Sequence, residues 1–183
     1  MDAPCPRATV IGLCGRKGSG KDTAAQQLIR EHGFLQYTFA GLLKQICQLV
    51  FGFDNRQTDG DLKELVDPYW NITPRQAFQQ IGTDLFRTHL YERLPTLRRQ
   101  PSVWVSHFQR WYANLPTHTR VIVTDVRFAD EADAIRQIGG ILIRIQRLTS
   151  TVQDAIVHAG FQTVHVLCGV DVGLSTSLHN RLL

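Results

Sequence analysis

Apolar positions in this chain follow two alternating periodicities. Short runs of strand length, Thr9 to Cys14, Phe34 to Phe39, Val121 to Thr124, Ile141 to Ile145 and Thr163 to Leu167, are separated by stretches in which apolar side chains recur every three or four positions. Strands that are apolar throughout suit a sheet covered on both faces, and their alternation with helices argues for a parallel sheet sandwiched by helices, an α/β fold. The predicted helices run from the end of the first turn to about His32, over Ala40 to Phe51, over Pro74 to Leu90 and over Ala129 to Ile138. In the second, Leu42, Leu43, Ile46, Leu49 and Val50 are expected to face inward. The third has a marked start: Thr73 can cap, Pro74 suits the first helical position, and Gln76 completes a capping box. Ala77, Phe78, Ile81 and Leu85 then recur at helical spacing. Gly139-Gly140 stops the fourth. Between the second and third, Gly52 to Asn71 is polar and rich in turn residues.

The first strand runs into Gly15-Arg16-Lys17-Gly18-Ser19-Gly20-Lys21-Asp22-Thr23, and a helix follows. Strand before and helix after are the context that a P-loop requires. Glycines let successive N–H groups turn into one concavity, the helix adds its positive end, and Lys21 supplies a mobile cation. The β- and γ-phosphates of a nucleoside triphosphate fit such a cradle, the strand–loop–helix order is that of a P-loop NTPase sheet, and the Lys21-x-Thr23 spacing resembles small-molecule kinases of the nucleoside monophosphate type. Arg16, Lys17, Gly18, Ser19 and Gly20 belong to the cradle. One position departs from the common motif: Asp22 stands where Ser or Thr usually ligates Mg²⁺, with Thr23 one place later. A carboxylate beside polyphosphate is repulsive unless a cation intervenes, so Asp22 is expected to face Mg²⁺ or its waters. As a plain first-turn carboxylate, which the helix dipole also favours, it would leave the hydroxyl duty to Thr23.

Length and charge narrow the field. The chain has 183 residues, 43% of them hydrophobic, enough for one globular domain with a full core and without a linker. Within it the core is expected over about 8–147, an acceptor-binding helical region over about 40–115 and a lid or C-terminal segment over about 147–183. The four cysteines, Cys5, Cys14, Cys47 and Cys168, have no metal-ligand spacing and read as reduced thiols of a cytoplasmic protein. No membrane span is legible. The net charge of +4 suits phosphorylated metabolites, and the basic residues are too scattered for a nucleic-acid surface. The seven histidines are dispersed and none is singled out as a catalyst.

Further candidates lie beyond the loop. The run Val121 to Thr124 ends in Asp125, and ligands bind at the carboxyl ends of strands in open parallel sheets; Asp125 there would hold Mg²⁺ or its water shell, or else cap the next helix. Arg127, two residues on, shares Asp125's side of an extended chain and can fork onto a phosphate, or pair with Glu131 or Asp130. Gly82 interrupts the third helix at a cost of about 1 kcal/mol against Ala. Arg75, Gln79 and Gly82 share one helical face, so either a planar substrate lies along Gly82 with Arg75 on its phosphate, or a neighbouring helix packs closely there.

Five segments together carry a resemblance: GRKGSGKDT at 15–23, Phe39-Ala40-Gly41-Leu42-Leu43-Lys44, Gln80-Ile81-Gly82-Thr83-Asp84-Leu85-Phe86, Val103-Trp104-Val105, and Thr124-Asp125-Val126-Arg127-Phe128-Ala129-Asp130-Glu131. In order and spacing they resemble the deoxynucleoside monophosphate kinases of DNA bacteriophages and large DNA viruses. The resemblance implies phosphorylation of dNMPs to dNDPs by ATP with Mg²⁺. It places Lys44, Arg75, Gly82, Thr83 and Trp104 on the acceptor side, with Arg127 and Glu131 near the substrate, and it makes a homodimer an expectation. Lys21, Arg16, Arg75 and Arg127 are the expected catalytic cations, and Trp104 offers a flat face for a nucleobase. Beyond Arg147 the pattern departs from the family: Gln153-Asp154-Ala155-Ile156-Val157-His158-Ala159 replaces its usual Asp-x-His segment, and Arg181 is the only Lys or Arg from 148 to 183. Either a phosphate-clamping lid then relies on Arg147, or closure is weak in this chain. Two other readings stay open, a phosphomevalonate kinase-like enzyme with the same GKD variant, and a nucleotide-binding regulatory module without turnover.

Overall fold

The computed structural model describes residues 9–99 and 101–146; Arg147 and the strand expected over Thr163 to Leu167 lie outside the described residues. The chain divides into two compact units, Met1–Tyr37 with Leu115–Leu183, and Thr38–Asn114.

The first unit holds the sheet. Strands β1 (Val10–Cys14), β2 (Leu35–Tyr37), β3 (Val121–Val123) and β4 (Ile141–Arg144) pair in the order β2-β3-β1-β4, all parallel. Each connection crosses over through helical chain, as parallel strands demand. Helix α1 (Lys21–His32) ends on Gly33, whose φ of 65° lets its N–H return to the carbonyls of Ile29 and Leu28. Helix α7 (Ala129–Gln137) stops in the same way, Gly139 and Gly140 donating to Arg136 O and Ile135 O. Strand β3 is buried at every position, as an all-apolar central strand should be. Leu13, Ala25, Phe34 and Ile122 form one core between sheet and α1. On β1, Gly12 is closed in from the other face: a Cβ there would stand 2.7 Å from both Ile135 Cδ1 and Leu142 Cδ2.

Helices make up the second unit: α2 (Phe39–Phe51), α3 (Asn55–Thr58), a 3₁₀ turn (Asp61–Glu64), α4 (Pro74–Gln79), a π-helical segment (Gln80–His89), α5 (Leu90–Arg93), a second 3₁₀ turn (Pro95–Arg99) and α6 (Val103–Ala113). Cys47, Phe53, Ala77 and Phe78 form its core, with Leu43, Phe51, Ile72 and Ile81 packed against them. The capping box before α4 is formed in full: Thr73 Oγ1 accepts from Gln76 N–H at 3.1 Å, and Gln76 Oε1 accepts from Thr73 N–H at 2.8 Å. Among the described residues no helix is long and apolar enough to cross a membrane.

Two sequence-based expectations need correction here. Leu49 and Val50 face outward, 86% and 59% exposed. The buried stripe of α2 runs through Phe39, Leu43 and Cys47, and at about 100° per residue Leu49 lies roughly 200° from Cys47. The helix over Pro74 to Leu90 is not a continuous α-helix either. After Gln79 the bonds widen to the π pattern, ending with Leu90 N–H on Leu85 O. The extra residue per turn rotates the apolar stripe, so Leu85 is exposed while Gly82 is buried.

At the carboxyl edge of the sheet Tyr37 is only 8% exposed. Burial, then the negative charges of Asp125 and Glu131, drive its phenol far above the usual tyrosine range.

Two measurements probe this packing. Gly12→Ala should lower unfolding stability by about 1–3 kcal/mol, as overpacking of a closed core does, with the midpoint of a urea transition shifting at unchanged slope. Tyr37 should stay protonated in the folded protein above pH 10, where an exposed phenol ionises. The unfolded chain then loses a proton that the native state keeps, so stability is intact below about pH 10 and falls as pH rises beyond it. Ultraviolet titration should show one of the four tyrosines ionising only on unfolding, and Tyr37→Phe should abolish that step.

Candidate phosphate-binding site

Where β1 ends, the chain turns back on itself using conformations that favour glycine. Gly15, Gly18 and Gly20 have φ of 142°, 76° and 100°. At Gly15 a side chain is excluded twice over, by its φ and because a Cβ would collide with the carbonyl oxygen of Ile145. Ile145 reaches that place because its N–H bonds Cys14 O at 2.8 Å, extending the β1–β4 ladder by one residue. Ser19 N–H closes the turn on Arg16 O at 3.2 Å. Gly20 then starts α1 without a side-chain cap, which leaves first-turn N–H groups of a twelve-residue helix uncapped by a side chain.

Two features define the chemistry of this concavity. The Ser19 hydroxyl oxygen is buried and has no hydrogen-bond partner among the described residues, a state that proteins rarely leave uncompensated. The Lys21 ammonium folds back over the loop and donates to Gly15 O at 2.8 Å and Arg16 O at 2.7 Å. A cation, a buried hydroxyl and uncapped amides around one bare-backbone turn fit an anion with several oxygens, as a polyphosphate presents. Arg16, Lys17, Gly18, Asp22 and Thr23 are exposed around it. Cys14, just before the loop, has its thiol raised by burial, with Arg144, Lys21 and Arg136 pulling the other way; it is a neutral thiol at neutral pH.

Beside the loop runs the end of β3. Register pairs Gly12 with Val123, and Val126 N–H donates to Leu13 O at 3.2 Å. Asp125 therefore leaves its strand level with the start of the loop, about one strand spacing of 4.8 Å away. It does not cap α7, whose cap position is Phe128. Glu131, 2% exposed, reaches back from the first turn of α7, and its Oε2 accepts from Arg127 N–H at 2.8 Å and Phe128 N–H at 3.1 Å. The carboxylate thus fixes the main chain of the turn that carries Asp125 and an exposed Arg127.

In the second unit the expected acceptor residues have protein partners. The guanidinium of Arg75, on α4, donates from Nε to Glu64 Oε1 at 3.0 Å, with Nη2 2.9 Å from the same oxygen. Lys44, on α2, is ion-paired with Asp59, whose second oxygen accepts from Thr58 Oγ1 at 3.1 Å. Burial raises the Asp59 carboxyl, but Lys44, Thr58 and Lys63 outweigh it and hold it below the usual range. Thr83 is exposed.

Two sequence readings change. Gly82 is not bare backbone awaiting a ligand: a Cβ there would stand 2.6 Å from Leu43 Cδ2, so the close neighbour is α2. Trp104 is 5% exposed, tilts on Phe86 at 5.3 Å, and donates its indole N–H to Gly82 O at 3.1 Å. It is a core residue that ties α6 to the π segment, and its face is not presented to a base. Sequence reasoning missed Asp59 and Glu64, which sit in a turn-rich stretch and acquire their partners from helices distant in sequence.

No family model matches the chain. A protein of Acanthamoeba polyphaga mimivirus described as a "Putative deoxynucleotide monophosphate kinase" is 42% identical over 144 residues, spanning 75% of this chain and 74% of that protein. At that identity and coverage, and with the same kinship carried by five segments of the sequence, the chain belongs to the deoxynucleotide monophosphate kinase family.

Proposed function

We propose that the protein transfers the γ-phosphoryl group of ATP to a deoxynucleoside monophosphate, giving dNDP and ADP. The observation that carries this is the loop at 15–20: a left-handed glycine turn around an orphaned Ser19 hydroxyl, with Lys21 folded over it, in a chain of this family. In this reading Gly15, Lys17, Gly18, Ser19 and Gly20 hold the phosphates of ATP. Lys21 exchanges two main-chain carbonyls for phosphate oxygens. Asp22, Thr23 and Asp125 would hold Mg²⁺, which keeps several waters and takes few protein ligands and would supply charge neutralisation for the phosphates.

Phosphoryl transfer asks the protein for alignment and charge neutralisation more than for covalent chemistry. Arg16 and Arg127 supply positive charge, and Glu131 keeps the turn bearing Arg127 in one shape. Arg75, Lys44 and Thr83 serve the acceptor. A phosphate monoester has its second pKa near about 6, so the attacking oxygen is already anionic at neutral pH and no general base is required. Since Trp104 is buried, the case for a nucleotide acceptor rests on the family relation and on the phosphate-binding cations.

Lys21→Ala should lower kcat by at least about 100-fold, because a lost electrostatic contact of this kind is worth roughly 3–4 kcal/mol in the transition state, with unchanged circular dichroism. Near-parental turnover would remove the reading of the loop. In a coupled ADP-release assay, dNMPs including dGMP and dTMP should be turned over and phosphomevalonate should not. Preference for phosphomevalonate would overturn the acceptor, and ATP binding without turnover on any acceptor would make the protein a nucleotide-binding regulator.

A further inference from the structure

The 3₁₀ turn Asp61–Glu64 grips α4 with two consecutive residues. The Lys63 ammonium lies over the Phe78 ring, 5.2 Å from its centroid, and Glu64 takes the Arg75 guanidinium. Phe78 and Arg75 are three positions apart on α4 and therefore share a face. The turn itself is held on several sides. Arg56 binds Asp61 through Nε at 3.1 Å and Nη2 at 2.7 Å, and Asp54 and Gln57 close a capping box on α3. Gly60 lies so close to Arg56 that a Cβ would be 2.9 Å from its Cα and its carbonyl oxygen. Thr58 is fully buried.

The contact made to Arg75 is specific about which edge it uses. Nε and Nη2 both address one oxygen, Glu64 Oε1. Of the five guanidinium N–H groups this engages the side-on edge and leaves the end-on Nη1/Nη2 fork unengaged by Glu64. That remaining fork is the geometry that accepts two oxygens of a phosphate. The pair is open to solvent, Glu64 61% and Arg75 37% exposed, so it adds little to folding stability. Its consequence is orientation. A planar fork must be aimed to bind bidentately, whereas a lysine ammonium with rotatable donors need not be; the neighbouring Asp59–Lys44 pair is therefore under no such demand.

We propose that Glu64 is a positioning residue: it holds the side-on edge of Arg75 so that the end-on fork is presented to the phosphate of the acceptor nucleotide. The proposal rests on the reading of Arg75 as an acceptor-phosphate ligand. Glu64 does not touch substrate; it removes the rotational freedom that Arg75 would otherwise lose on binding.

Steady-state kinetics on four variants of the full chain, with dTMP varied at saturating ATP and ATP varied at saturating dTMP, tests this. Arg75→Ala should raise the KM for dTMP. Glu64→Ala should raise it about tenfold, the equivalent of one misaimed charge-assisted contact, while the KM for ATP and the melting temperature stay within about twofold and about 2 °C of the parent, as for loss of an exposed pair. Glu64→Gln, whose amide oxygen can still accept both N–H groups, should restore most of the loss. Glu64→Ala added to Arg75→Ala should change nothing further. A fall in KM for Glu64→Ala would mean that the carboxylate competes with phosphate and would overturn the proposal. So would an unchanged KM for Glu64→Ala while Arg75→Ala raises it. If Arg75→Ala itself leaves the KM for dTMP unchanged, the reading of Arg75 fails and the inference falls with it.

Discussion

The close approach of the end of β4 to Gly15 is the constraint on which the proposed site depends. Ile145 pairs with Cys14 and in doing so puts its carbonyl oxygen where any Cβ at position 15 would be. The chain can pass this point only as glycine, with φ of 142°. From that turn follow the direction of the loop, the burial of the Ser19 hydroxyl and the start of α1 at Lys21. A strand that follows the loop by more than a hundred residues in sequence thereby shapes it, which is why the parallel order β2-β3-β1-β4 matters to the chemistry and not only to the core.

Carboxylates do different work in the two units. Glu131 is buried, and its oxygen is spent on two main-chain N–H groups, so its effect is on the path of the backbone around Asp125 and Arg127. A buried carboxylate left without such donors would be costly, and here the donors are the main-chain N–H groups of Arg127 and Phe128, just before α7 begins. Asp59 and Glu64 are exposed and address side-chain cations instead. Neither pair adds much to stability, but each limits where a cation can be.

Much of this arrangement was legible in the sequence, and the reasons are local. The strand ending at Cys14, the capping box of Thr73 and Gln76, and the stop at Gly139-Gly140 each depend on residues within a few positions of one another. What was not legible depends on distance. The π pattern from Gln80 to His89 leaves no local mark, because a wider turn needs the same residue types as a narrow one. Trp104 reads equally well as a stacking platform or a core residue until its indole is seen on Gly82 O. Gly82 itself was read both ways from the sequence, and Leu43 decides between them. Leu49 follows the helical period yet lies off the stripe through Cys47, since periodicity alone does not say where the stripe is centred, and Val50 is exposed in the last turn of α2 although it lies on that face.

The folded-back Lys21 has a thermodynamic consequence. With its ammonium already on the Gly15 and Arg16 carbonyls at 2.8 and 2.7 Å, two of its three N–H donors have exchanged water for main-chain oxygens during folding. On the proposed function, arrival of a phosphate at this loop is then a substitution of one set of oxygens for another, closer in character to ligand exchange at a metal than to the trapping of a hydrated ion. Exchange of that kind releases less water from the cation than the meeting of a fully solvated lysine with a phosphate, so the cation's share of the entropy gain on binding should be smaller here.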